Sequence, residues 1–554
     1  MSALDALTLT VFGGVLLGVT VLAWRRTRAT TVDFFLAGRR TGVALNAAAI
    51  CGDYLSAASF LGVAAAVYAS GLDGAWYATG FAAGFVPVLL FVAAPLRRLG
   101  AISLPDFLAV RFGSDRVRIA AVVAVELVIL SYLVPQAVGS GLTWELLVGQ
   151  GLAGLSPYAT GVVVSSLTVG AVVALGGMRG TTWNQALQFG FLLSVLVWLT
   201  ALVWAGGFAY PQTVAELSRA PLTTPVAGEL VVVTDRLAGG EARFGAPGAR
   251  YGPVGQLALL VTLVLGTAGL PHVVNRYFTS PSGRAARTTT VWVLGLAGLF
   301  YALAVALGTA ARQLIPRAAD EPWLAALTVD GVLEVPEHAL LVLGRLVAGT
   351  PGLAMVAAAA FAAMVSTIGG LLLAAAASWG HDVVARVLRP DARPGEAVTA
   401  GRVAILVVSI LAALLALAVE PARLLGTFPS VIATMVTWAF ALAGSALTPT
   451  LLLAIWWPRA TTRGAVAGIT IGATLAIAAL VVGLVSGADP ADGIGAVLLA
   501  PTVLVAPVSA LTVVVASLTD DDRGVDPRVW TRMHGTAADR QVERLARLTL
   551  RQQP

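Results

Sequence analysis

The chain has 554 residues, 58% hydrophobic and 12% charged, with a mean hydropathy of +0.87, against roughly 45–50% apolar and about 25% charged in soluble domains. This excludes a soluble globular protein and leaves an integral membrane protein, in which each helix crosses about 30 Å of hydrocarbon with ~20 apolar residues. The net charge of +6 comes from arginines set between apolar blocks, a topology signal rather than a nucleic-acid surface, so no nucleic-acid partner is expected.

Apolar runs bounded by charge predict thirteen spans, near 6–24, 43–69, 76–95, 117–149, 157–177, 185–207, 254–278, 288–312, 338–379, 399–419, 424–456, 464–486 and 493–518. The first has Asp5 before it and no small-residue cleavage site after it, and reads as a retained span. With the N-terminus outside, the inside connections hold Arg25, Arg26, Arg28, Arg39 and Arg40, then Arg97, Arg98, Arg111, Arg116 and Arg118, then Arg179. They continue with Arg276, Arg284 and Arg287, then Arg386, Arg389, Arg393 and Arg402, then Arg459 and Arg463. The short outside connections are almost bare, with Arg423 the exception. The 208–253 loop, carrying Arg219, Arg236, Arg243 and Arg250, is long enough to weaken the rule. The arginine-rich tail, 519–554, is then cytoplasmic, either solvated or touching anionic lipid.

Two spans are interrupted near mid-membrane. The second, ALNAAAICGDYLSAASFLGVAAAVYASG (44–71), carries Asp53 at membrane depth beside Gly52, Tyr54, Ser56 and Ser59; the seventh carries GTAGLPH, 266–272. An intramembrane carboxylate is a functional-site hypothesis by default, and weak backbone is tolerated in lipid only where it faces protein or a water-filled cavity. The two broken spans are five apart, so each opens a five-helix unit, 43–207 and 254–456, of opposite orientation. The chain then divides into a first helix and loop (1–42), the first repeat, an extracytoplasmic loop (208–253), the second repeat, two further helices (457–518) and the tail (519–554). Interrupted segments at corresponding positions of inverted halves mark a secondary transporter's binding site.

The runs DFFLAGRR (33–40), GDYLSAASFLG (52–62), GGMRGTTWNQALQ (176–188), GTAGLPHVVNRYF (266–278) and MVSTIGGLLLAAAASWGHDV (364–383) resemble the sodium:solute symporter family, and within it the acetate and monocarboxylate permease branch. The resemblance implies an all-α LeuT-type 5+5 inverted-repeat bundle. It implies a sodium ion where segment two unwinds against segment nine, bound by the hydroxyls of Ser366 and Thr367 and the carbonyls of Ala363, Gly52 and Leu55. Hydroxyls and freed carbonyls are the oxygens such a cation takes; adjacent Ser and Thr in an apolar helix also commonly back-bond to the preceding turn. Asp53 stands one residue before the position, Tyr54, where some relatives carry an acidic or amide residue. It is placed near the cation, against an arginine, or as the protonatable group of a proton-coupled cycle, so the coupling ion is Na⁺ or H⁺.

For the substrate, sequence offers no cation in the core other than His272, leaving the half-helix ends at the two breaks to hold an anion. Ser56, Tyr132, Gln136, Gly269 and His272 are the candidate substrate residues, Tyr132 and Gln136 standing one helical turn apart. Glu126 is also at depth and is expected to pair with a basic residue. Arg179, Trp183 and Asn184 are expected to anchor the inner connection between spans five and six.

The expected function is a symporter in a plasma membrane, a bacterial inner membrane, importing acetate, propionate or pyruvate with Na⁺ or H⁺ and needing no other cofactor. The other readings are a symporter of amino acids or other small solutes, and a transporter-like sensor acting through a partner. An enzyme is disfavoured because His272, His338, His381 and His534 are scattered and match no nucleophile. A channel is disfavoured by the lack of charge rings. The single cysteine, Cys51, excludes an internal disulfide.

Overall fold

The computed structural model describes residues 30–226, 228–419, 428–521, 524–536 and 538–539, together with 18, 21 and 22. The expected first span, 6–24, lies outside the described residues apart from those three.

Helices dominate because a chain in lipid must satisfy its backbone within each segment. They are α1 (Val43–Tyr54), α2 (Val63–Ser70), α3 (Leu104–Phe112), α4 (Asp115–Val148), α5 (Pro157–Ala205), α6 (Pro253–Gly269) and α7 (Pro271–Phe278). They continue with α8 (Gly283–Arg317), α9 (Ala339–Ala377), α10 (Pro394–Ala418), α11 (Val431–Leu442), α12 (Thr462–Val485), α13 (Thr502–Leu518) and α14 (Pro527–His534). Between α2 and α3, residues 75–99 form one further helical stretch with a π turn at Val88–Val92. Hydroxyls start several helices: Ser156 accepts the Ala159 N–H, Ser282 that of Ala285, and Ser430 that of Ala433, supplying the acceptor that a first turn lacks. Helix α10 shows how the bundle meets lipid: Val403, Val407, Ile410 and Leu414 are exposed while Ile405, Val408, Ala412 and Ala416 are buried. A helix apolar on both faces is one with protein on one side and hydrocarbon on the other.

Nine helices among the described residues are long and apolar enough to cross a membrane, or ten if the bent pair at 493–518 is one span. The count stays below the expected thirteen because the second and third expected spans run together, as do the fifth and sixth, and the first lies outside the described residues. Expected spans five and six form the single helical run α5, interrupted only at Gly177 (φ 55°, ψ −163°). Glycine is required there, since this is left-handed backbone and a Cβ would meet the Phe34 ring. The GGMRGTTWNQALQ motif is therefore a sharp bend followed by helix, not a loop. Arg179 reaches Asp33 at 3.5 Å and Asn184 is buried, but Trp183 is 51% exposed and anchors no buried interface. Expected span nine is broken too, at Ala348 and Gly349 (φ 64°, ψ −157°), ahead of the stretch that carries Ser366.

The 208–253 loop carries the antiparallel pair β1 (Thr223–Val226) and β2 (Glu229–Val232). It is seated on the bundle by Asp73, whose carboxylate accepts N–H groups from Gly248 (3.1 Å), Arg250 (2.6 Å) and Tyr251 (3.1 Å). The end expected to be cytoplasmic is tied by Arg118, which bridges Asp106 of α3 at 2.9 Å and Asp382 beyond α9 at 2.7 Å.

The described part of the tail is docked rather than solvated. Arg98 donates to the Met533 carbonyl at 3.0 Å, Arg532 to the Leu99 carbonyl, and Met533 is fully buried. His534 packs on Trp530 and Trp456 and meets the Ile455 carbonyl at 2.7 Å. Burial pushes the imidazole below its ordinary 6.5, and Arg98 and Arg111 push the same way. The docked form thus favours neutral His534: docking is fully held above pH 6.5 and weakens as pH falls below it, because the undocked chain binds the proton first. Hydrogen exchange across 527–534, corrected for intrinsic rates, is expected to quicken below that pH in the wild type and not in His534→Gln.

Candidate functional site

Helix α1 stops at Tyr54 because Leu55 leaves the helical region (φ −79°, ψ 75°); Ser56 and Ala57 bridge to a π turn over Ala58–Gly62 that leads into α2. An interrupted helix leaves the carbonyls of its last turn without backbone partners. Two are met from α9. The Ser366 hydroxyl donates to the Gly52 carbonyl and also lies 3.0 Å from the Ala363 carbonyl, while the Thr367 hydroxyl donates to the Asp53 carbonyl at 2.8 Å. On its other side Gly52 lets α5 come close, since a Cβ there would strike the Gln185 backbone. Of the residues expected around the cation, Gly52, Ala363, Ser366 and Thr367 are joined by hydrogen bonds. Leu55 sits at the break itself, and the Asp53 carbonyl joins the set. Five neutral oxygens are gathered, and a hydroxyl that donates to a carbonyl exposes its lone pairs once it rotates.

The Asp53 side chain is held by an arginine. Arg276 Nε lies 3.1 Å from Asp53 Oδ2, with both side chains essentially inaccessible. The same guanidinium donates to Thr182 Oγ1 at 2.8 Å and to the Gln185 amide oxygen. Gln185 in turn donates to the Ser366 carbonyl at 2.7 Å. This overturns two expectations: Arg276 is not in a cytoplasmic connection, and the core does hold a cation besides His272. Arg276 belongs to α7, an eight-residue helix that starts at the second break, so at 1.5 Å per residue it lies only about 7–8 Å along the axis from Pro271. A buried carboxylate at one break and an arginine just past the other was the signal available in the sequence. Asp53 Oδ1 faces Gly370 of α9, whose missing side chain leaves the space the carboxylate occupies.

The substrate candidates surround the same break. Tyr132 of α4 donates to Ser56 Oγ at 3.4 Å and packs edge-on against the His272 ring, 5.3 Å between centroids. Gln136 accepts the Ala57 N–H at 3.0 Å. Its Nε2, and both ring nitrogens of His272, are buried with no hydrogen-bond partner among the described residues. Gly269 is turned elsewhere: its Cα face lies against the Ala443 carbonyl and the Thr448 hydroxyl, and Thr448 meets the Leu265 carbonyl at 2.7 Å. Four of the five candidates are thus drawn together and Gly269 packs behind them. Sequence reading did not name the aromatic layer above, in which Phe81 stacks on Tyr301 and meets Phe440 edge-on, while Tyr54 donates to the Phe81 carbonyl at 2.9 Å. Glu126 lies against Trp379, not a basic residue.

Comparison with known proteins fits this geometry. The family model "Sodium:solute symporter family" matches residues 34–472. An uncharacterized symporter, YwcA, of Bacillus subtilis (strain 168) is 32% identical over 485 residues, covering 87% of this chain and 86% of that protein. Among solved structures, a substrate-bound, outward-open Na⁺-coupled sialic acid symporter is similar with a TM-score of 0.68 at 19% identity, over 95% of this chain and 99% of that one. Mhp1, a nucleobase-cation-symport-1 family transporter in a closed conformation, follows with a TM-score of 0.50 at 13% identity, over 90% and 98%. These likenesses give the fold, a LeuT-type helical bundle of a multi-pass plasma-membrane protein. The match across both broken helices and the segment that meets them places the chain in the sodium:solute symporter family.

Proposed function

We propose that this protein is a Na⁺-coupled symporter importing a short monocarboxylate such as acetate, propionate or pyruvate by alternating access, with no chemistry on the substrate. The carrying observation is the meeting of the Ser366 and Thr367 hydroxyls with the freed carbonyls of Gly52 and Asp53, a ready set of cation ligands at a helix break. Sodium is favoured over the proton because Asp53, the protonatable candidate, is already engaged by Arg276. The similar sialic acid symporter is also Na⁺-coupled.

A small carboxylate is supported by donors left open at the same break. Gln136 Nε2 is buried without a partner among the described residues, and the first turn of α7, the positive end of its dipole, stands beside Tyr132 through His272. The enclosure by Tyr132, Phe440 and His272 leaves little room for bulk. Alternating access is supported by this placement, since rearranging either broken helix alters the cation ligands and the open donors together.

Uptake of labelled acetate, propionate, pyruvate, amino acids and sialic acid into proteoliposomes tests the substrate. The acids are expected to be taken up. Gln136→Glu keeps an acceptor for the Ala57 N–H but replaces the open donor by a negative charge, and is expected to raise KM for the acid by ~10-fold or more. Uptake of an amino acid or sialic acid and of no short acid would reassign the substrate within the same transport cycle.

A further inference from the structure

Beyond the central site, the end of the bundle that the arginine asymmetry assigns to the outside contains a cavity of about 250 Å³ under the β1–β2 hairpin, ample for a two- or three-carbon acid. Its wall includes Arg236, Arg250, Thr234 and, on the opposite charge, Glu334. Arg236 is committed to Asp489 at 3.4 Å across two half-exposed side chains. Arg250 is different. Its backbone N–H is fixed to Asp73 at 2.6 Å, but its Nε is buried with no hydrogen-bond partner among the described residues. Arg250 lines the cavity and its guanidinium has no ion pair or hydrogen bond among the described residues, and a carboxylate is the planar acceptor that a guanidinium fork matches best.

The cavity also stands at the head of a route inward. Phe428 lines both this cavity and a smaller chamber of about 30 Å³ formed by Tyr77, Tyr251, Thr434 and Trp438. In that chamber the Tyr77 and Tyr251 hydroxyls meet at 2.9 Å, and Tyr77 packs near Phe81 of the aromatic layer, 6.3 Å between ring centroids.

We propose that this cavity is an outer holding site for small carboxylates, with Arg250 the principal ligand, which captures the substrate before the Tyr77–Tyr251 contact opens. The proposal rests on the carboxylate reading above and assigns a second, external site for the same substrate class. The Arg250 side chain makes none of the bonds that seat its loop, so Arg250→Gln removes the charge without removing the Asp73 anchor.

The test is uptake and efflux of labelled pyruvate in proteoliposomes carrying the full chain, with Arg250→Gln and Glu334→Gln. Arg250→Gln is expected to raise the half-saturating pyruvate concentration by ~10-fold when pyruvate is presented to the external face, and not at all when it is presented to the internal face. Its maximal uptake rate is retained, and its maximal efflux rate falls by the same factor, because the unchanged equilibrium across the membrane ties the two ratios of rate to half-saturation. Glu334→Gln, which removes a repelling charge, is expected to lower the external value. An unchanged external value in Arg250→Gln, or a rate lowered equally from both faces, would overturn the holding site. If the wild type moves no acid, the monocarboxylate reading fails. The anion site is then read by thermal shift with pyruvate or acetate against chloride at constant ionic strength. A shift lost in Arg250→Gln sustains the site, and no shift in the wild type refutes it.

Discussion

Arg276→Met is expected to abolish coupled uptake and to lower the thermal midpoint of the purified protein strongly. The substitution leaves Asp53, fully buried, without its cation, and breaking one side of a buried pair typically costs about 3–5 kcal/mol. It also removes the donors to Thr182 and Gln185, and Gln185 is the residue that holds the Ser366 carbonyl. The damage therefore reaches the cation ligands through a short chain of bonds. Two measurements separate these effects. Removing both charges, as Asp53→Leu with Arg276→Met, is expected to recover much of the thermal midpoint, since a buried pair exchanged for apolar residues is often neutral, while uptake stays absent. A single variant with wild-type stability and wild-type uptake would show that the pair is idle.

Gly370→Ala is the second large effect. A methyl at Gly370 would fall on the Asp53 carboxylate, whereas a methyl at the adjacent Gly369 would meet Val173 and Thr181 at 3.4 and 3.6 Å, ordinary contact distances. The backbones on either side cannot simply separate, because Ser366 and Thr367 bond α9 to the end of α1. The carboxylate must swing away from Arg276 instead. Overpacking alone costs about 1–3 kcal/mol, and the weakened pair adds to it. Uptake in Gly370→Ala is expected to fall by ~100-fold or more, the factor that ~3 kcal/mol gives, while Gly369→Ala stays near wild type. Equal behaviour of the two glycine variants would show that the carboxylate is free to relocate.

Much of this is legible in the chain itself. The two breaks announce themselves because glycine, proline and polar residues interrupt runs that would otherwise cross lipid unbroken, and Ser366 and Thr367 stand out in an alanine- and leucine-rich helix. Arg276 was misplaced for a physical reason. An arginine five residues after a proline that ends an apolar run reads as a membrane boundary, and only the packing of α7 against α1 shows that it remains inside. The charged and polar stretch around Gly177 reads in sequence as a connection between spans five and six; in the fold one residue of positive φ turns the chain and helix resumes at once. Gly269 shows the converse. Its place beside a broken segment marks Gly269 as a candidate substrate residue, yet its surface is occupied by the Thr448 hydroxyl and the Ala443 carbonyl. The docking of α14 depends on contacts with Leu99 and Ile455, hundreds of residues earlier and tens of residues earlier, and local pattern carries no trace of such pairings.

The most direct test of the central claim is uptake of labelled acid by proteoliposomes under an imposed Na⁺ gradient and, separately, an imposed H⁺ gradient, with Ser366→Ala and Thr367→Ala beside the wild type. Sodium-driven uptake that disappears in Ser366→Ala, together with a loss of Na⁺-dependent thermal stabilisation, is the predicted result. Uptake driven by the proton gradient alone, and untouched by either hydroxyl deletion, would contradict it.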